Sequence, residues 1–176
     1  GAGHGGLAMA GHLGLMGFDV RLFNRTRARL EPVMVRGGVE VEGDDVSGFG
    51  PVSAASDQAG DLLPGANVIM VVVPATAHRF MAEQCAPHLR DGQTVVLNPG
   101  RTFGALAFAQ ALKELGCTAD VTIAETQTFI YASRVVGPGQ AKIFRVKNSI
   151  PLATVKAHRI PQCLNLVRQA FPQFIP

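Results

Sequence analysis

Gly1-Ala2-Gly3-His4-Gly5-Gly6 opens the chain and runs straight into an apolar, helix-compatible segment, Leu7 to Gly17. This order of residues suits a phosphate. Gly1 permits a tight turn, Gly3 lets the backbone come close to a diphosphate, and Gly6 lets the following helix lie near a sheet. The helix start adds unpaired N–H groups and the positive end of a dipole. Gly5 completes the glycine-rich turn. His4 lies among these glycines. It reads first as filling space over the loop and second as a hydrogen-bond donor toward phosphate.

Other polar groups fall where apolar strands should end, the place where open parallel sheets collect ligands. Asn24 follows Val20-Arg21-Leu22-Phe23. NAD-binding domains usually carry Asp or Glu there, on the ribose hydroxyls, and a carboxylate repels a 2′-phosphate. Asn24 removes that repulsion, and Arg25 offers a planar cation to phosphate and adenine. Thr26, Arg27 and Arg29 add to the same patch, so the pattern predicts NADP, with NAD as the second choice. The plainer reading is a solvated basic helix start. Val73 and Pro74 end an apolar run, and proline turns the chain there. His78, one helical turn on, reads as a surface or capping histidine. Asn98-Pro99-Gly100-Arg101-Thr102 brings backbone N–H groups, an amide and a guanidinium to the expected nicotinamide end; a simple strand-to-helix turn is the competing account. Glu125 ends another strand, where it binds ribose, orders a substrate or caps the next segment. Arg134, with Tyr131 near it, is either a carboxylate binder or an ordinary surface arginine.

These residues need an alternating scaffold. The pattern predicts strands at 20–23, 39–42, 68–73, 93–97 and 121–124, with 141–146 as an antiparallel addition. Val39 to Glu42 reads as an exposed edge strand, and Asp44 to Ser56 as a loop. Val68 to Val73 reads as the clearest buried strand. Helices are expected at 26–36 with Thr26 as N-cap, and at 57–63, 75–89, 103–115 and 160–171. The fold class is α/β, a doubly wound, mostly parallel Rossmann-type sheet. A strand should precede Gly1, so the chain reads as a fragment of one dinucleotide-binding domain, residues 1–176, without its first strand.

Composition agrees. Hydrophobic residues make up 47% and charged residues 16%, which suits a packed core. The net charge of +3 is too small to imply nucleic acid. Cys85, Cys117 and Cys163 are isolated, without metal spacing, which points to reduced thiols in the cytoplasm. The run 68–73 is too short to span a bilayer. No metal set and no catalytic residue is assigned within the chain.

Several of these segments together resemble one family. Gly1 to Gly6, Val73-Pro74-Ala75-Thr76-Ala77-His78, Leu97-Asn98-Pro99-Gly100-Arg101-Thr102-Phe103-Gly104-Ala105-Leu106 and Ala124-Glu125-Thr126-Gln127-Thr128 look like the opine dehydrogenases, octopine and nopaline dehydrogenases among them. Phe171-Pro172-Gln173-Phe174 resembles the end of that family's first domain. The resemblance implies an NAD(P)H-dependent oxidoreductase whose partners are an amino acid and an α-keto acid. Their imine is reduced by hydride from the nicotinamide. It places the glycines on the diphosphate, Asn24 and Arg25 on the adenosine ribose, and Pro74 and Asn98 near the nicotinamide. It also places the acid/base histidine in a helical C-terminal domain that this chain lacks, so the fragment is expected to be inactive. His4 departs from the Asn often found in that family's loop. The alternatives are a reductase of the wider glycerol-3-phosphate, ketopantoate and 6-phosphogluconate dehydrogenase group, or a non-catalytic NADPH-binding regulatory module.

Overall fold

A computed structural model describes residues 1–176. In chain order the elements are α1 (His4–Leu15), β1 (Arg21–Phe23), a 3-10 turn (Arg27–Arg29), α2 (Glu31–Arg36), β2 (Gly38–Glu42), β3 (Gly48–Pro51) and β4 (Ala54–Ser56). They continue with β5 (Val68–Val71), α3 (His78–Cys85), β6 (Thr94–Leu97), α4 (Gly104–Glu114) and β7 (Thr122–Thr126). β8 (Tyr131–Gly137), β9 (Gln140–Val146), β10 (Ile150–Thr154), α5 (Ile160–Val167) and β11 (Phe174–Ile175) close the chain. Two units emerge, Gly1–Leu62 with Ile130–Lys147, and Leu63–Phe129 with Asn148–Pro176. The class is mixed α/β with mostly parallel strand pairing, as the sequence predicts.

In the first unit β1 pairs in parallel with β4. A separate four-stranded sheet has the order β3-β2-β9-β8. α1 packs on this sheet through small residues. A Cβ at Gly11 would meet Val39 and Val41, and one at Gly50 in β3 would collide with the Gly11 backbone. Tyr131 is buried and its hydroxyl lies 2.8 Å from His12 Nδ1, joining β8 to α1.

The second unit holds a five-stranded sheet, β11-β10-β7-β6-β5. β5, β6 and β7 run parallel, whereas β10 joins β7 antiparallel. Every residue of β6 is buried, as the middle of a parallel sheet requires. α4 buries Ala105, Phe108, Ala111 and Leu112, a helical stripe. α5 starts with proline in its first turn and buries Cys163, Leu164 and Val167.

Several expectations are corrected. β2 is an interior strand, flanked by β3 and β9, with Val39 and Val41 buried. The segment 44–56 holds β3 and β4 instead of a loop. β5 stops at Val71, and Val68, Ile69 and Met70 are only half-buried because β5 ends its sheet. β9 is antiparallel to β8 yet parallel to β2. The expected helix 26–36 is a 3-10 turn followed by α2, and Thr26 makes no side-chain cap bond. The expected helices at 57–63 and 75–89 shorten, to a 3-10 turn over Ala59–Asp61 and to a 3-10 turn leading into α3. β8, β10 and β11 lie outside the strands that the sequence predicts. No helix is long and apolar enough to cross a membrane.

Candidate functional site

The candidate residues divide between the two units. In the first, the glycine turn leads directly into α1. Gly3 is its N-cap, in extended geometry with φ −91° and ψ −170°, so the turn delivers the chain straight into helix. A Cβ at Gly6 would run into the Gly1 carbonyl oxygen, so this position has room for hydrogen only. No acidic residue stands in the first turn of α1 to repel an anion. Gly5 is the next residue of that turn. His4 is exposed, and its Nδ1 accepts a hydrogen bond from Val135 N–H at 2.8 Å. That bond requires a bare Nδ1, so a neutral ring carries its proton on Nε2. The loop histidine is tied to β8 rather than merely filling space.

Asn24 lies just beyond β1 and is buried. Its Oδ1 accepts from Ala2 N–H at 3.0 Å, and its Nδ2 donates to the Thr26 carbonyl at 3.0 Å. The structure therefore joins the glycine turn to the Asn24-Arg25-Thr26 turn. Arg25 and Thr26 are exposed. Arg27 and Arg29, in the 3-10 turn that follows, are exposed as well. Arg134 lies exposed on β8, in register with Lys142 of β9.

In the second unit the residues gather at the carboxyl ends of β5, β6 and β7. Val73 is half-buried and Pro74 exposed, opening the turn into α3. Asn98 has no exposed surface. Its backbone N–H donates to the Val71 carbonyl at 2.9 Å, and its Oδ1 lies 3.2 Å from the Thr126 hydroxyl. Gly100 N–H donates to the Thr126 carbonyl at 3.1 Å, and a Cβ at Gly100 would strike the Glu125 side chain. Glu125 Oε2 accepts from Ala105 N–H at 2.7 Å. It thus caps the start of α4, a preceding helix, and not the segment that follows it.

Two residues here carried little weight in the sequence. Thr126 reaches the Asn98 amide, and His78 is 4% exposed. His78 hydrogen-bonds the Pro99 carbonyl while its Nε2 has no partner, so the proton sits on Nδ1. Burial holds its pKa below the usual value, against the Pro99 carbonyl and the Glu125 charge, which favour the imidazolium. The signal for His78 was its place one turn after Pro74. Thr126 offered none beyond a hydroxyl at a strand end. The loop from β6 to α4 also holds Arg101 and Phe103 at positive φ, 62° and 59°, with both side chains exposed. Such backbone is found where surroundings over-determine it.

Residues 1–118 match the NAD-binding domain family of 6-phosphogluconate dehydrogenase. The chain belongs to that family. As an NAD-binding domain it has a relative in the opine dehydrogenase of Arthrobacter sp. (strain 1C), 32% identical over 175 residues. That match takes in 99% of this chain and 48% of the relative, so the chain spans about half of that protein. Octopine dehydrogenase in complex with NADH and agmatine superimposes with a TM-score of 0.84 at 19% identity, over 99% of this chain and 46% of that one. Yersinopine dehydrogenase with NADP+ bound gives 0.75 at 15% identity, over 99% and 45%. The likeness to opine dehydrogenases read from the sequence is thereby shown.

Taken unit by unit, this NAD-binding domain has features that suit a nucleotide. Gly6 is a cradle that a Cβ would fill. Among buried side-chain polar atoms, Asn98 Nδ2, His78 Nε2 and Gln173 Oε1 lack hydrogen-bond partners, and the first two lie at these strand ends. A buried amide left so costs about 1–3 kcal/mol, and a ligand bond at that atom offsets it.

Proposed function

We propose that the whole protein is an NAD(P)H-dependent oxidoreductase of opine dehydrogenase type, with residues 1–176 forming its dinucleotide-binding domain. Its substrates are an amino acid and an α-keto acid. The bound cofactor supplies the hydride that reduces their imine to an N-carboxyalkyl amino acid. The observation that carries this reading is the Gly1–Gly6 turn, closed to any side chain at Gly6, in a chain 32% identical to an opine dehydrogenase along nearly its whole length.

In this reading the N–H groups of Gly1, Gly3, Gly5 and Gly6 face the diphosphate, with the His4 ring beside them. Asn24, Arg25 and Thr26 form the adenosine-ribose end, and Arg25 pairs with a 2′-phosphate. Val73, Pro74, Asn98, Gly100 and Glu125 serve the nicotinamide end. Asn98 brings a buried amide and Glu125 holds the start of α4. Proton transfer is not assigned to His78. Nucleic acid and membrane have no part in this function, and its setting is the cytoplasm.

The full-length protein should bind NADPH more tightly than NADH in a fluorescence titration. Arg25→Ala should erase most of the gap, a loss of about 1.5–3 kcal/mol for a charge-assisted contact. Equal affinities before the substitution would remove the phosphate assignment. Oxidation of NADPH that requires both an amino acid and an α-keto acid separates this enzyme from a binding module.

A further inference from the structure

Asn24 has both ends of its carboxamide occupied by backbone. Ala2 N–H can only donate and the Thr26 carbonyl can only accept, so Oδ1 and Nδ2 are fixed without ambiguity. Ala2 and Asn24 are 6% and 8% exposed, so the bond between them is buried, while the bond to Thr26 is part-buried. The Asn24 backbone N–H is bonded too, to the Ser56 carbonyl at 3.3 Å. A carboxamide committed in this way cannot read a ribose hydroxyl without giving up a buried bond.

We propose that Asn24 is a positioning residue that fastens the glycine turn to the Arg25–Thr26 turn, so that diphosphate binding at one and 2′-phosphate selection at the other depend on a single clamp. This rests on the dinucleotide reading above. The clamp explains why the position is amide and not acid. Aspartate would still accept from Ala2 N–H, but its second oxygen would face the Thr26 carbonyl oxygen with no proton between them. Asparagine is needed for its donor as well as for its missing charge. The clamp also uses the carbonyl of Thr26 and not its hydroxyl. That hydroxyl makes no cap bond to the 3-10 turn, and the side chain stays exposed beside Arg25.

The test is titration of the full-length protein and its Asn24→Asp, Asn24→Ser and Arg25→Ala variants with NADPH and with NADH, well below each variant's melting temperature. Asn24→Ser should weaken both cofactors in step, by about tenfold for a lost buried bond, leaving the NADPH-to-NADH ratio unchanged, and Asn24→Asp should weaken NADH as well while repelling the 2′-phosphate of NADPH further. Arg25→Ala should change the ratio instead. A purely structural asparagine would lower the melting temperature and leave the folded protein's affinities intact, which overturns the proposal. Tighter NADH binding by Asn24→Asp also overturns it, because the carboxylate would then be reading ribose. So does a loss confined to one cofactor in Asn24→Ser. Each of these results leaves the dinucleotide reading standing. A wild-type protein that binds neither nucleotide overturns both.

Discussion

Asn98 and Gly100 show how much one turn can be asked to do. The amide of Asn98 is sealed from solvent, with its oxygen beside Thr126 and its nitrogen unpartnered. Gly100 lies so close to Glu125 that no side chain fits. Gly100→Ala must therefore push Glu125 away and break the cap on Ala105. We expect weaker binding of both nucleotides and a stability loss of about 1–3 kcal/mol, read from titration and from urea unfolding. An alanine variant with unchanged affinity and unchanged midpoint would show that Glu125 moves freely. The sequence disclosed that Asn98, Gly100 and Glu125 belong to strand ends. It did not disclose that they touch, because the link runs through Thr126 and Ala105, a hydroxyl and a backbone N–H with no distinctive pattern. Asn24 was visible as a chemical type for the opposite reason, its position after β1. Its partners, Ala2 and Thr26, were invisible because they are backbone groups.

At the scale of elements, side-chain periodicity reports which face is buried and is silent on what lies along the strand's edges. Val39-Glu40-Val41-Glu42 alternates as an edge strand does, yet β2 is hydrogen-bonded on both sides. β3 has no strand signature in the sequence because its Gly48, Gly50 and Pro51 have poor strand propensity. Gly50 stands there for closeness to α1, a requirement of packing and not of the strand itself. Helices were easier, since a stripe of apolar residues needs no distant partner. α4 is the clearest case, and Phe108 is its fully buried member. Phe108→Ala should cost about 3–5 kcal/mol, seen as a lower urea midpoint with little change in slope. A loss below about 1 kcal/mol would mean that the helix–sheet contact collapses onto the gap.

For the whole molecule, acid should be felt early. His12 in one unit and His78 in the other are both held below the ordinary histidine value of 6.5, in each case first by burial. The unfolded chain therefore takes up these protons before the folded one does. Their stabilising contribution is complete above that value and declines as pH falls below it. Asp120 lies lower in pH, its carboxyl held down by Arg159 and then Lys156, so its share fades only in the carboxylate range. Melting temperature should begin to drop below about pH 6.5. His12→Gln should make that decline shallower, and an unaltered slope would remove His12 from the account. The strand order carries a different consequence, for how the chain is born. Glu40 finds its parallel neighbour in Gln140, a separation of 140 − 40 = 100 residues. A ribosome releases β2 long before β9 exists, so the first unit must wait, with the Glu40–Glu42 edge of β2 unpaired on that side, while most of the second unit is being made. Synthesis rate and chaperone supply should therefore decide yield more than any single contact in the finished fold.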